Sequence, residues 1–101
     1  MGRITLDGTE QTLFESTELA EYFGYVFLNN LEDGDTVVIR VYIRDVEDSK
    51  YYLADEKSFS NAQAIPVVRI TNVIGKVGIK ITIQQTAGTY RDVDHMWFRK
   101  G

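Results

Sequence analysis

Val37-Val38-Ile39-Arg40-Val41-Tyr42-Ile43-Arg44 carries an apolar side chain at every odd position, while Arg40, Tyr42 and Arg44 fall on the even ones. Val77-Gly78-Ile79-Lys80-Ile81-Thr82-Ile83-Gln84 repeats the pattern with Gly78, Lys80, Thr82 and Gln84 as alternates. Side chains of a strand point to opposite faces in turn, so each run predicts a strand with one face on a core. The composition agrees. Valine, isoleucine and threonine number 10, 9 and 9, and aromatics add 12, against 13 alanines, leucines and methionines together. Branching at Cβ suits a pleated surface better than a helix.

Weaker runs extend the reading in both directions. Residues 3–6 and 11–15 read as a pair of short strands around Asp7-Gly8. Over residues 21–29, Phe23, Tyr25 and Phe27 take one side and Tyr22, Val26 and Leu28 the other, so cover on both faces is expected. Residues 50–59 predict a polar edge strand, residues 67–71 a strand opening after Pro66, and Val93, His95 and Trp97 the inward side of a last one. Turns are predicted at Glu32-Asp33-Gly34-Asp35, at 45–50, at 72–76 and at 86–89. The one helical alternative, 16–23, is too short to stand alone and is allowed a single turn. With no repeat and no linker, residues 1–101 form one domain. About eight antiparallel strands without covering helices must bury their faces on each other. The predicted fold is all-β, a two-sheet β-sandwich, with a jelly roll favoured over an immunoglobulin-like arrangement because eight strands divide into two sheets of four.

Length and charge exclude several functions. A chain of 101 residues with 44% hydrophobic content and a net charge of −4 is neither disordered nor large enough for several domains. The lack of cysteine removes disulfides, thiolate metal sites and cysteine nucleophiles. A pI near 4.9 lacks the basic footprint of nucleic-acid binders. No apolar stretch approaches the ~20 residues of a membrane span, and no signal peptide is recognised, so a soluble protein is expected. Residues 1–48 hold eleven acids and three bases, while 49–101 hold four acids and eight bases. Complementary faces of that kind favour self-association.

Few side chains offer chemistry. His95 is the one histidine, and no serine lies in a nucleophile-elbow context to receive it, so a packed imidazole is expected. Glu32, Asp33 and Asp35 lack calcium-loop spacing and are read as a solvated turn, as are Asp92 and Asp94 as a solvated sheet face. No enzyme, cofactor or metal is expected. The tyrosines 22, 25, 42, 51, 52 and 90 with Trp97 suggest either a sugar platform or a protein contact. Trp97 lies on the apolar phase, whereas Tyr42 shares its outward phase with Arg40 and Arg44. Tyrosine beside arginine is the bias of protein interfaces, which favours protein contact.

Three segments together carry a resemblance: Leu6-Asp7-Gly8-Thr9-Glu10-Gln11-Thr12, Asp33-Gly34-Asp35-Thr36-Val37-Val38-Ile39-Arg40 and Gln84-Gln85-Thr86-Ala87-Gly88-Thr89-Tyr90-Arg91. In this order the chain resembles, over nearly its full length, small all-β proteins encoded by tailed phages, archaeal viruses and environmental viral sequences. Those proteins look like accessory virion components of the capsid-decoration or cement type. The resemblance implies a structural, non-enzymatic protein on the virion surface, made in the host cytoplasm, whose partners are itself and a major capsid protein. It brings no catalytic residues. The expected contacts are Arg3, Ile4, Thr5 and Leu6, as a strand added to a neighbour's sheet, and the Arg40, Tyr42 and Arg44 face. The alternative function is a carbohydrate- or receptor-binding module.

Overall fold

A computed structural model describes residues 2–16, 20–44, 50–63, 66–75 and 78–100. Eight strands form: β1 (Gly2–Thr5), β2 (Gln11–Ser16), β3 (Ala20–Phe27), β4 (Thr36–Arg44), β5 (Tyr51–Ser60), β6 (Val67–Gly75), β7 (Ile79–Ala87) and β8 (Asp92–Lys100). The two alternating runs pair with each other. β4 lies antiparallel to β7, with Ile39 opposite Ile83 and Val41 opposite Ile81. Their inward side chains, with Val37 and Ile79, are almost fully buried.

The strands divide into two four-stranded sheets, β1-β8-β3-β6 and β2-β7-β4-β5, in which every pairing is antiparallel. The all-β sandwich of eight strands is therefore as expected. The order is nested: first strand with last, second with seventh, third with sixth, fourth with fifth. Only β4 and β5 are neighbours both in sequence and in one sheet; every other connection crosses from sheet to sheet. Between the sheets lie Leu6, Leu13, Tyr22, Val26, Leu28, Leu31 and Val93 with the β4 and β7 side chains. Phe14 closes one end, stacked 5.4 Å from Trp97 and tilted 5.1 Å from Tyr22. Gly24 makes that packing possible, because a Cβ there would overlap both the Met96 carbonyl and the Trp97 ring.

Several local expectations change. β1 and β2 flank Asp7-Gly8 but do not pair; each joins a different sheet, so the turn arches between sheets. β6 continues to Gly75, where it pairs with Ala20, so Asn72 lies in a strand rather than opening a turn. The predicted single helical turn and the hairpin turn after Arg44 involve residues 17–19 and 45–49, which lie outside the described residues. β2 ends at Ser16 and β3 begins at Ala20, both as strand.

Candidate functional site

Of the expected contact residues, the first four sit on β1 and just beyond it. β1 is not a detached arm: it is an edge strand of its own sheet, with Gly2 opposite His95 and Thr5 opposite Asp92. Arg3 points outward and its Nε donates to Asp94 at 2.7 Å; the Thr5 hydroxyl lies 2.6 Å from an Asp92 oxygen. The Arg3 guanidinium holds the Asp94 carboxyl below the usual aspartate value. Ile4 packs against the core, and Leu6, 1% exposed, is part of it and out of a partner's reach. What β1 offers a neighbour is its outer backbone edge, where the Thr5 carbonyl already accepts from the Gln11 amide at 3.1 Å, and the Arg3 and Thr5 side, not Leu6.

Arg40, Tyr42 and Arg44 fall on the outer face of the other sheet, so the two expected contacts are not brought together. That face is organised by Glu10, which the sequence did not single out. One Glu10 oxygen accepts from the Tyr42 hydroxyl at 2.6 Å and from Thr82 Oγ1 at 2.5 Å, with Arg40 Nη1 at 3.5 Å. Arg40 also donates from Nε to Glu56 at 2.6 Å and from Nη1 to the Gln84 amide oxygen at 3.0 Å. Burial pushes the Glu10 pKa up, but these donors and the Arg40 charge outweigh it and hold the carboxyl below its ordinary value. The same bond raises the Tyr42 hydroxyl pKa. Lys80 lies 5.0 Å from the Tyr42 ring centre and 4.8 Å from that of Tyr51, whose hydroxyl donates to Glu15 at 2.9 Å. Arg40 and Tyr42 are thus already engaged within the molecule.

The opposite outer face is different in kind. The side chains of β3 that point away from the core are Phe23, Tyr25 and Phe27, and on β8 they include Met96 and Phe98. Phe23 stacks on Phe98 at 5.2 Å, and Tyr25 meets Phe98 edge-on at 6.4 Å. Phe98 remains 39% exposed and Val67, opposite Phe27 on β6, 40%. The sequence predicts cover on both sides of residues 21–29; this second aromatic side is instead an outer layer with no sheet above it among the described residues.

His95 is half-buried between Val93 and Trp97. Its Nδ1 accepts the Trp97 indole N–H at 2.8 Å, so that nitrogen is occupied as an acceptor and the proton of the neutral ring sits on Nε2. Burial lowers the imidazole pKa below 6.5. Among the described residues, no group of three or more His, Asp or Glu side chains is placed to hold a metal ion.

Asp35 corrects the solvated-turn reading. It is 1% exposed and accepts the Glu32 N–H at 3.0 Å, the Thr89 N–H at 2.9 Å and Arg91 Nε at 2.7 Å. These donors hold its carboxyl below the ordinary aspartate value. Gly88, at φ +91°, lets the β7–β8 turn approach, since a Cβ there would overlap the Asp35 carboxyl. Asp35 is a buried clamp between two loops that are 54 residues apart in sequence. No protein-family model matches this chain, and neither a curated protein nor a solved structure shows significant similarity to it.

Proposed function

We propose that the protein is a structural, non-enzymatic component that acts through protein–protein contacts, of the virion-decoration type, and that the outer face of β3 and β8 is its main contact surface. The observation that carries this reading is the outer layer of Phe23, Tyr25, Phe27, Met96 and Phe98, half-buried except for Phe98 and bordered by the exposed Val67. Contiguous apolar surface on a small protein marks an interaction site, because leaving it in water forfeits about 25 cal/mol per Å² that a partner would recover. Tyr25 is the one side chain of this layer with a strong hydrogen-bonding group, too few for the several hydroxyls of a sugar, which favours a protein partner over a glycan on this face. The nested strand pairing supports a jelly roll over an immunoglobulin-like sandwich, and the former architecture serves viral shell domains as well as lectins. Its partners in this reading are a second copy of the chain and a major capsid protein, with the outer edge of β1 before Thr5 as a further contact.

Sedimentation velocity across a micromolar concentration series tests the reading. The full chain is expected to associate as concentration rises, and Phe98→Glu to remain monomeric with little change in melting temperature. A wild-type protein that stays monomeric and does not co-sediment with capsids of its parent particle would remove the proposal.

A further inference from the structure

A shallow depression of about 390 Å³ lies at the loop end of the sandwich, lined by Asn29, Asn30, Glu32, Tyr90, Arg91 and Asp92. We propose that it binds a neutral saccharide, independently of the aromatic contact face. Its volume falls in the range of small-ligand sites, at the lower end. Its lining is polar, with one aromatic ring: Tyr90 is 55% exposed and its hydroxyl end lies against Gly8. A sugar ring has this dual character, with hydroxyls at its rim that both donate and accept and an apolar C–H face suited to an aromatic ring.

Charge narrows the ligand class. Arg91 is the one cation of the lining, and its guanidinium is taken up by Asp35 at 2.7 Å and Glu32 at 3.1 Å. With Glu32 and Asp92 at the rim, excess negative charge remains, which opposes phosphates, sulfates and acidic sugars. The carboxylates accept from hydroxyls, and the exposed Asn29 amide both donates and accepts. Glu32 and Asp92 already meet Arg91 and Thr5, and the remaining lone pairs of each carboxylate, with the Asn29 amide, suit the hydroxyls of a neutral polyol and not a purely apolar ligand.

The walls are fixed before a ligand arrives. The Asn30 amide donates to the Asp92 carbonyl at 2.9 Å, which ties one loop to the start of β8. Gln85, buried at 1% exposure, donates to the Thr89 carbonyl at 2.6 Å and accepts the Arg91 N–H at 3.2 Å. Together with the Asp35 clamp, these bonds hold both loops, so binding loses little conformational freedom.

Glucose, galactose, mannose and N-acetylglucosamine, each titrated into the full-length protein and followed by amide chemical shifts, test the site. At least one is expected to shift residues 29–32 and 90–92 saturably, with a dissociation constant on the order of millimolar. Tyr90→Ala should weaken that binding about tenfold and Asn29→Ala several-fold, while Lys57→Ala, on the remote edge strand β5, should not change it. The proposal is overturned if none of the four sugars shifts these amides, if Tyr90→Ala binds as well as wild type, or if inorganic phosphate produces the shifts instead. Both variants alter exposed side chains, so an unchanged melting temperature separates loss of the site from loss of the fold. Sedimentation of the same samples reports on the contact face separately.

Discussion

The two outer faces of this sandwich rest on one core yet use opposite chemistry. On β4 and β7 the outward side chains are polar and satisfy one another: Glu10 gathers Tyr42, Thr82 and Arg40, and Lys80 lies over two tyrosine rings. On β3 and the later half of β8 they are mainly aromatic, with Phe98 stacked on Phe23 and still open to water. Asp92 and Asp94, at the start of β8, bond to Thr5 and Arg3 of β1. A face whose hydrogen bonds close internally contributes to the stability of the monomer and leaves little for a partner. A face that is apolar and open contributes less to the monomer and gains when covered. Tyrosines and arginines in the sequence drew attention to the first face; the proposed contact lies on the second.

That contrast can be tested by substitution, beginning with what both faces share. Ile81→Ala, in the fully buried layer between the sheets, should cost about 2–5 kcal/mol in chemical denaturation. A smaller loss would mean that the sheets are not closely packed there. Glu10→Gln should cost about 1 kcal/mol, discounted from a charged hydrogen-bond network because the side chain is one-third exposed, and should leave association unchanged. Phe98→Ser should cost less stability than Glu10→Gln while reducing association. If Phe98→Ser proves the more destabilising of the two, the aromatic layer is internal packing and the contrast between faces fails.

The pH dependence of stability adds a smaller test. The folded-state pKa values of Glu10 and Asp94 lie below their ordinary 4.5 and 3.8, so their stabilisation is complete above those values and lost as pH falls through the folded ones. His95 is also lowered below 6.5, and for a base that means the neutral form is the folded one. Its stabilisation is present above pH 6.5 and declines as pH falls toward the folded pKa, when a proton competes with the Trp97 N–H for the ring. Melting temperature should therefore begin to fall below about pH 6.5 and drop again below about pH 4.5. Glu10→Gln should flatten the acid step and His95→Gln the earlier one.

Where the sequence was legible, a single physical signal was responsible. Period-two burial identified β4, β7 and β8, because the inward side chains of a sandwich are mostly apolar whatever their partner strand, with His95 and Gln85 as hydrogen-bonded exceptions. Pairing partners left no such trace. Asp7-Gly8 serves equally for a hairpin or an arch between sheets, and only the completed sheets decide between them. Asn72 and Gly75 resemble turn chemistry, yet the backbone stays in strand to Gly75 and absorbs an irregularity there, where the register with β3 shifts by one residue between Ile70 and Val73. The site residues show the same limit. Glu10 and Asp35 look like solvated loop acids because their partners, Thr82 and Arg91, are 72 and 56 positions away. Tyr90 was visible only as one tyrosine among six, since the depression it lines is made by two loops that meet at one end of the sandwich.

The nested strand order also constrains how the molecule acquires its shape. β4 and β5 can pair as soon as both exist, and each further pairing, β3 with β6, β2 with β7, β1 with β8, encloses the one before it. Because loop closure must precede each of these gains, such a topology belongs among the slow folders, on the scale of milliseconds to seconds. During synthesis β1 leaves the ribosome first and waits longest, since its own partner emerges last. Until then the aromatic residues of β3 lack β8 beside them, which makes the growing chain most prone to wrong association at the strand that later carries the proposed contact face.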